Sequence, residues 1–408
     1  MDNQVVKNKK ISLIVLLCWM AYTSAYLGRY SYSSNINFIM SFYDVNHSQA
    51  GLVSTFFFFA YGLGQILNGV FCRCYNKKYI IPFALIVSSV VNFLIFAGIG
   101  FQYIKYLWLI NGIVQSILWP SLISVISENL KTEELTKSVL IMSTTVPIGT
   151  FLVYGSSALF SLFNNFKLSF LLGSIAMPIV AVVWFVLYEK STLQRKTVTT
   201  QKQNEKISVK GAKEQTIYFV ILLLALFAVI NNLVKDGLTT WVPSILKENF
   251  NLGDGLSILL TLVLPILGLF GTAFATKLSG KIKSFIALCG VLYSLTAIFL
   301  LTTIYCLSIS NWLIALISFG LISMFMHGVN NVITSMMPLY FRDKVNSGMI
   351  AGVLNGFCYV GSTISSYGLG AVADNFDWSA VFYLLLGLCI VPVVISLLGE
   401  IFQKVKRK

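Results

Sequence analysis

The sequence predicts an all-α polytopic membrane protein, with twelve transmembrane helices in two pseudo-symmetric six-helix bundles. Its composition, its long apolar runs and the placement of its basic residues indicate this. Of the 408 residues, 57% are hydrophobic and 11% are charged, and the mean hydropathy is +0.81. A soluble globular protein carries about 25% charged residues. Since a helix crosses the bilayer with about 20 mainly apolar residues, the chain has room for about a dozen spans with short loops.

Apolar windows between charged loops predict where these spans lie. The first six lie near 11–42, 49–71, 79–99, 103–127, 137–162 and 168–188. The second six lie near 216–247, 255–279, 284–305, 311–337, 346–370 and 379–402. In lipid every backbone polar group must be satisfied within the chain, and no strand-like alternation of apolar and polar residues appears, so these spans are expected to be helices.

A long polar segment divides the chain into two halves. Residues 189–215 are rich in Lys, Gln and Thr and have no apolar face, so they are expected to form a flexible cytoplasmic linker. The predicted domains are therefore an N-terminal bundle over 1–188 and a C-terminal bundle over 216–408. Arg29 and Lys235 lie at corresponding depths in the first and seventh spans. Two such halves are a known transporter plan, with the substrate site between them near the midplane.

The basic residues indicate how the chain is oriented. The net charge is +14, but the Lys and Arg residues concentrate in alternate loops and at both termini, so nucleic-acid binding is not expected. The opposite loops contain only Lys105, Lys167 and Lys247. By the positive-inside rule, both termini and the linker are expected in the cytoplasm. The composition favours a bacterial inner (plasma) membrane, and the chain is expected to act as a monomer.

Arg29 is the first candidate for the site, because a cation in the hydrocarbon core costs about 2.5–3.5 kcal/mol on insertion scales. Tyr22, Tyr26, Arg29 and Ser33 follow the spacing of one helical face. This pattern predicts an anion-binding arginine flanked by hydroxyl groups. The alternative is that Arg29 extends towards the outer membrane surface, since the first span is long enough to leave its depth open.

Lys235 is the corresponding cation of the second half. Two cations from opposite halves would favour a dianionic or bidentate ligand such as a phosphate. Asp236 follows directly, but neighbouring residues on a helix point about 100° apart, so the two side chains need not pair. In the alternative interpretation Lys235 pairs with Asp236 or another buried acid and never contacts the substrate.

Other polar residues within the spans allow two interpretations. His327 could couple transport to protons, since histidine titrates near neutral pH, or it could be a packing residue with a hydrogen bond. Asn330, Asn331 and Asn355 could face the cavity or bond between helices.

Several motifs, spread over nearly the whole chain, carry a family resemblance. They are Tyr22-x-x-x-Tyr26-x-x-Arg29, Ala60-Tyr61-Gly62, Asn111-Gly112-x-x-Gln115-x-x-x-Trp119-Pro120, Lys235-Asp236-Gly237 with Trp241-x-Pro243, Gly352-x-x-Asn355-x-x-x-Tyr359-x-Gly361, and Ala373-Asp374-x-Phe376-x-Trp378. With them the chain resembles the major facilitator superfamily. Within that superfamily it is similar to the organophosphate:phosphate antiporters, the glycerol-3-phosphate and hexose-phosphate transporters and their relatives.

The resemblance implies a site and a mechanism. Arg29 would match the first phosphate-binding arginine of the antiporters, and Lys235 stands where they have a second one. Tyr359 matches a tyrosine of the cavity. The two halves would rock about a fixed site in alternating access, with the bound anion bridging Arg29 and Lys235. The substrate-binding residues expected are Arg29, Lys235, Tyr22, Tyr26, Tyr61, Gln65, Trp119, His327, Asn331, Asn355 and Tyr359, and the proton-coupling candidates are Asp236 and His327.

The chain also departs from the family pattern. Gln65 replaces a lysine, and the residues near Thr144 and Thr145 replace a histidine. Ser31 replaces an asparagine, and Arg73 and Gly280 replace acidic residues of the loop signature. A cavity with fewer cations would hold a phosphate ester less well.

The leading hypothesis is therefore a secondary transporter for a small organic anion, with sugar phosphates and other organophosphates foremost. The counter-substrate or co-substrate would be inorganic phosphate or protons. The alternative is a proton-coupled symporter of a hexuronate, another carboxylate or a sulfonate. A sensor that keeps the transporter fold is a further alternative. The two histidines, His47 and His327, lie in opposite halves, the cysteine spacing matches no metal motif and no Walker sequence is present, so an enzyme, a cofactor, a metal site and ATP-driven transport are not expected.

Overall fold

The computed structural model describes residues 12–71, 74–130, 132–193, 214–282, 284–340 and 347–406, and helices make up most of them. The N-terminal half contains α1 Leu13–Ser34, α2 Ile36–Tyr43, α3 His47–Phe71, α4 Lys77–Phe96, α5 Phe101–Ser116, α6 Leu118–Asn129, α7 Thr132–Ser143, α8 Thr145–Ser161 and α9 Lys167–Leu193. The C-terminal half contains α10 Glu214–Phe250, α11 Asp254–Leu260, α12 Val263–Ser279, α13 Phe285–Ser308, α14 Trp312–Asn331, a π-helical turn Val332–Met336, α15 Met337–Tyr340, α16 Ser347–Asn375 and α17 Trp378–Lys406.

The predicted all-α membrane architecture is confirmed. Every predicted apolar span falls on one of these helices or on consecutive ones; the span 311–337 covers α14, the π-helical turn and the start of α15. Within the described ranges, nine helical segments are long and apolar enough to cross a membrane. The count of twelve crossings stays a prediction.

Prolines account for three interruptions of the helices. Pro120, Pro147 and Pro265 each lie three residues beyond a break, at Ile117, Thr144 and Leu262. A proline has no N–H to donate to the carbonyl four residues earlier, so the helix weakens at that carbonyl. The freed Ser116 carbonyl accepts a hydrogen bond from the Gln65 side-chain amide of α3 instead, at 3.4 Å.

The outer surface of the bundle is strongly apolar. Large hydrophobic side chains are exposed along α3, α4, α9 and α13, as Phe59, Phe83, Ile179 and Leu301 illustrate. Contiguous apolar patches of this size do not occur on soluble monomers, so this surface is the one that meets lipid.

The two halves pack along α3 and α16, which approach each other closely. A Cβ atom at Gly51 would lie 2.0 Å from the backbone oxygen of Ser366, and one at Gly370 would lie 2.8 Å from that of His47. Neither position has room for a side chain. Residues 194–213, most of the predicted linker, lie outside the described ranges, while 189–193 continue α9 and 214–215 begin α10.

Candidate binding site

Arg29 lies on α1 with only 5% of its surface exposed. Its Nε donates a hydrogen bond to the Gln115 side-chain oxygen at 3.1 Å, whereas its Nη2 is buried and has no hydrogen-bond partner in the described part of the chain. The guanidinium is therefore held inside the protein and does not extend to the membrane surface, so the alternative interpretation of Arg29 is wrong.

Gln115 orients Arg29 because a buried network fixes its own amide. The Gln115 side-chain nitrogen donates to the Ala25 carbonyl at 3.2 Å, to Ser88 Oγ at 2.9 Å and to Asn111 Oδ1 at 3.1 Å. Asn111 in turn donates to the Gly28 carbonyl at 3.0 Å. With its nitrogen committed to these acceptors, Gln115 can present only its oxygen to Arg29.

Three aromatic rings surround the guanidinium. Its central carbon lies 4.2 Å from the ring centroid of Tyr61, 4.9 Å from that of Tyr26 and 5.3 Å from that of Phe57. Such contacts attract a cation to the ring face and exclude water from it. We call Arg29, Gln115, Tyr26, Phe57 and Tyr61 the arginine site. It offers an unpaired N–H donor on a positive charge in a poorly solvated setting.

Further aromatic residues extend the arginine site in both directions. Tyr22 contacts the hydroxyl of Tyr61 through its own hydroxyl at 3.3 Å and packs on Trp119 with centroids 4.8 Å apart. Tyr359 of α16 packs on Tyr61 with centroids 4.8 Å apart. Through Tyr359, the C-terminal half therefore contacts the arginine site.

Lys235 and Asp236 lie on α10 and contact each other, with Nζ 3.4 Å from Asp236 Oδ1. The other oxygen, Oδ2, accepts hydrogen bonds from Asn232 Nδ2 at 3.1 Å and from Ser362 Oγ. The separation of 100° between neighbouring residues does not prevent this contact, because the long lysine stem can bend back. This lysine–aspartate pair is the arrangement that the alternative interpretation of Lys235 describes.

Helix α16 connects the lysine–aspartate pair to the arginine site. Ser362, which contacts Asp236, lies one turn after Tyr359, and Tyr359 packs on Tyr61. The structure thus brings Arg29, Lys235, Asp236, Tyr22, Tyr26, Tyr61, Trp119 and Tyr359 into one region between the halves.

The remaining predicted residues make local contacts. His327 donates from Nδ1 to the Ser323 carbonyl at 2.8 Å and packs against Gly268. Asn331 donates to Thr276 Oγ1 at 3.4 Å, and Asn355 is half-buried one turn before Tyr359. Since Gln65 bonds the Ser116 carbonyl, its contact lies within the N-terminal half.

A second polar cluster joins the halves near the turn that leads into α3. His47 Nε2 lies 2.8 Å from Glu248 Oε1, and His47 Nδ1 lies 2.7 Å from Asp374 Oδ1. Asp374 also accepts the backbone N–H groups of His47 at 3.0 Å and Ser48 at 2.7 Å, so it caps α3 from the other half. Trp378 Nε1 donates to Glu248 Oε2 at 2.7 Å. We call His47, Glu248, Asp374 and Trp378 the distal lock.

The contacts of His47 define its charge. A carboxylate only accepts hydrogen bonds, so both ring nitrogens of His47 must donate, and the imidazole is protonated. The lock therefore pairs one cation with two carboxylates. Within the described residues, no group of three or more His, Cys, Asp and Glu side chains is arranged to hold a metal ion.

The sequence analysis did not predict two structural features of the region between the halves. Gln115 belongs to a motif that carried the resemblance, but no role was predicted for it. His47 was noticed only as one of two histidines, and its partners lie 201 and 327 residues away in sequence. For the lock, the available signal was an ionisable residue beside a predicted span end, with acids at two further span ends.

Comparisons with known proteins agree with the architecture. The model of the Major Facilitator Superfamily matches residues 18–335. The membrane sensor protein UhpC of Escherichia coli K12 is 20% identical over 90% of this chain and 87% of its own length. A probable hexose phosphate transport protein of Chlamydia pneumoniae is 21% identical, covering 97% and 93%. The hexuronate transporter of Bacillus subtilis 168 is 22% identical, covering 84% and 80%.

A solved structure shows the same fold. It is a bacterial homologue of the human lysosomal transporter Spinster, in an inward-facing and occupied conformation. It superimposes with a TM-score of 0.75 at 13% sequence identity, over 95% of this chain and 96% of the other.

Proposed function

This chain belongs to the Major Facilitator Superfamily, and we propose that within it the protein is a secondary active transporter for a small organic anion, working by alternating access. The family and its transporter relatives make the chain a multi-pass membrane transporter and not an enzyme. The observation that carries the anion proposal is the unpaired Nη2 of the buried Arg29.

The buried guanidinium of Arg29 is costly without a counter-charge. Placing an ion in a dry interior costs several kcal/mol unless it is paired and hydrogen-bonded. In the arginine site the described contacts of the guanidinium are one neutral amide and three rings. A bound carboxylate, sulfonate or phosphate would supply both the counter-charge and an acceptor for Nη2.

Two groups of organic anions are the candidate substrates. Sugar phosphates and other organophosphates are favoured by the similarity to a hexose phosphate transport protein, with inorganic phosphate as counter-substrate. Hexuronates, other carboxylates and sulfonates are favoured by the similarity to a hexuronate transporter, with Asp236 or His327 moving a proton. The lysine–aspartate pair is the structural feature that bears on this choice.

Alternating access requires contacts that break and re-form between the halves. The distal lock is such a set, since His47 comes from α3 while Glu248, Asp374 and Trp378 come from α10, α16 and α17. With both termini in the cytoplasm, the lock would close the outer side of the site. Asn37 and Ser244 add an inter-half hydrogen bond of 2.6 Å in the same region.

A sensor is the second candidate, because the similarity to a membrane sensor protein extends over most of the chain. A sensor would bind the anion at Arg29 without net transport. The two functions therefore share the site and differ in flux.

The test is uptake of labelled sugar phosphates, hexuronates and sulfonates into proteoliposomes, with and without internal phosphate. Stimulation by internal phosphate indicates exchange, and stimulation by a proton gradient alone indicates symport. Arg29→Lys should insert normally and lose most uptake, because a point charge does not replace the planar guanidinium. Unchanged uptake by that variant contradicts the role of Arg29. Binding without uptake of any compound favours the sensor.

A further inference from the structure

We propose that Asp236 sets the charge of the substrate: by neutralising Lys235, it makes the site selective for a monoanion over a dianion. The ligand class is a carboxylate, sulfonate or sulfate ester, with doubly ionised phosphate esters disfavoured. This inference rests on the proposed function, since it assumes that an anion binds at Arg29.

The charged side chains in the middle of the membrane-spanning helices determine the net charge that a ligand meets. In the central part of the described membrane-spanning helices, the Lys, Arg, Asp and Glu side chains are Arg29, Lys235 and Asp236. His327 is the one further titratable cation there, and at about pH 8 an ordinary imidazole is mostly neutral. Two cations and one carboxylate leave a net charge of one positive unit for the ligand to balance.

Asp236 is the ion-pair partner of Lys235 and an acceptor of hydrogen bonds. Its Oδ2 accepts two hydrogen bonds, from Asn232 and Ser362, while its Oδ1 faces the Lys235 ammonium. The Asn232 Nδ2 and the Lys235 ammonium can only donate, so a carboxylate is the acceptor that suits them. The Ser362 hydroxyl adds a third contact to the same side chain.

The net charge of the site does not depend on the direction in which the Lys235 side chain points. If the ammonium swings from Asp236 to the ligand, the carboxylate remains on α10, held by Asn232 and Ser362. It stays near the arginine site, because Ser362 lies one turn after Tyr359 on α16 and Tyr359 packs on Tyr61. A dianion would then meet a fixed negative charge, and like charges brought together at a poorly solvated interface oppose binding.

The experiment compares two ligands of nearly the same shape, glucose 6-sulfate and glucose 6-phosphate. At about pH 8 the sulfate ester carries one negative charge, and the phosphate ester, whose second pKa is about 6, carries two. Purified full-length protein is titrated with each ester, and dissociation constants are measured by ligand-induced thermal shift and isothermal calorimetry. Glycerol 3-sulfate and glycerol 3-phosphate form a second pair, glucuronate is a further monoanion, and glucose is the uncharged control.

Three variants vary the charge count. Asp236→Asn keeps the side-chain shape and raises the net charge by one unit. The double substitution Lys235→Gln with Asp236→Asn restores the wild-type net charge without the pair. Arg29→Gln removes the cation to which the anion binds. The melting temperature of each unliganded variant shows that it is folded.

Wild-type protein should bind the sulfate ester more tightly than the phosphate ester. In Asp236→Asn the ratio of phosphate to sulfate affinity should rise by about tenfold or more, which corresponds to about 1.4 kcal/mol. The double variant should return to the wild-type ratio. A wild-type preference for the phosphate ester, or an unchanged ratio in Asp236→Asn, overturns the inference.

The same data test the proposed function separately. If Arg29→Gln binds either ester as well as wild type, or if glucuronate and all four esters fail to bind every folded variant, the anion-transport proposal itself fails. If Arg29→Gln loses binding but the charge ratio does not follow Asp236, only the present inference fails.

Discussion

The arginine site and the distal lock both place a cation between the halves, but they treat its hydrogen-bonding capacity in opposite ways. In the lock, the two ring nitrogens of His47 both meet carboxylates, at 2.8 and 2.7 Å. In the arginine site, Nη2 of Arg29 is left without a partner, and the hydrogen bond from Nε goes to a neutral amide. A saturated cation holds protein to protein, whereas an unsaturated one is available to a ligand.

Arg29→Gln should cause the largest loss of ligand affinity, because it removes the cation whose Nη2 has no partner. Losing a buried charge that binds an anion costs about 2–5 kcal/mol, so the affinity should fall by about 30-fold or more. The melting temperature of the unliganded protein should hold or rise, since a desolvated charge has been removed. Uptake and thermal stability are measured on the same preparation. Retained affinity, or a collapse in stability without ligand, would show that Arg29 is structural.

Asp374→Asn tests the saturated cluster. The variant weakens the acceptor for the His47 ring and for two backbone N–H groups of α3. Losing part of this network costs about 1–3 kcal/mol, so the population with an open distal end should rise by about tenfold. Spin-label distances across the ends of α3 and α16 measure this population.

Asp377→Asn is the matched control for the lock. Asp377 caps the start of α17 by accepting the Ala380 N–H at 2.7 Å, and this contact lies within one half. It should leave the inter-half distances unchanged. Equal shifts in both variants would mean that general loosening, and not the lock, is being measured.

His47→Gln tests whether the lock depends on the positive charge of His47. Glutamine can donate a hydrogen bond but carries no positive charge, so the two carboxylates would face each other with less compensation. The open population should rise in the variant and should lose its dependence on pH across the range in which an imidazole titrates. In the wild-type protein, opening should increase towards high pH, where the second N–H is lost. A variant that keeps the wild-type pH profile assigns the dependence to other groups.

Gln115→Ala tests the neutral partner of Arg29 and should have a smaller effect. The Nε of Arg29 loses its 3.1 Å hydrogen bond, but its charge remains. A neutral-acceptor hydrogen bond contributes about 0.5–1.5 kcal/mol, so ligand affinity should fall by less than about tenfold. Gln65→Ala is the control, because its amide contacts the Ser116 carbonyl instead of Arg29. A loss in Gln115→Ala as large as in Arg29→Gln would mean that the amide itself binds the ligand.

Asn331→Ala should have the smallest effect. The contact of Asn331 is a 3.4 Å hydrogen bond to Thr276 within the C-terminal half. Substitutions at such peripheral positions usually change stability by less than about 0.5 kcal/mol, and uptake should change by less than about threefold. A large loss of uptake with normal insertion would place Asn331 at the substrate after all.

Much of the fold could be predicted from the sequence, because apolar spans in lipid have few structural options. The predicted windows fall on the helices, and the proline positions explain where three of them break. Tyr22, Tyr26 and Arg29 could be grouped because they share one helical face. Tyr61 and Tyr359 came only through the resemblance.

The rest depends on contacts between distant segments, which helical periodicity does not encode. The role of Gln115 follows from a network that joins α1, α4 and α5. The lock needs four helices, α3, α10, α16 and α17, from different parts of the chain. The contact of Lys235 with Asp236 depends on the flexible lysine side chain. The angle between neighbouring residues on a helix therefore does not predict whether the two side chains pair.

A crystal structure with bound glucose 6-sulfate or glucuronate would show directly whether Arg29 binds the anion. We expect an oxygen of the charged group within about 3 Å of Arg29 Nη2, with the Gln115 hydrogen bond to Nε retained. An anion bound elsewhere between the halves, with Nη2 still unpaired, would contradict this expectation.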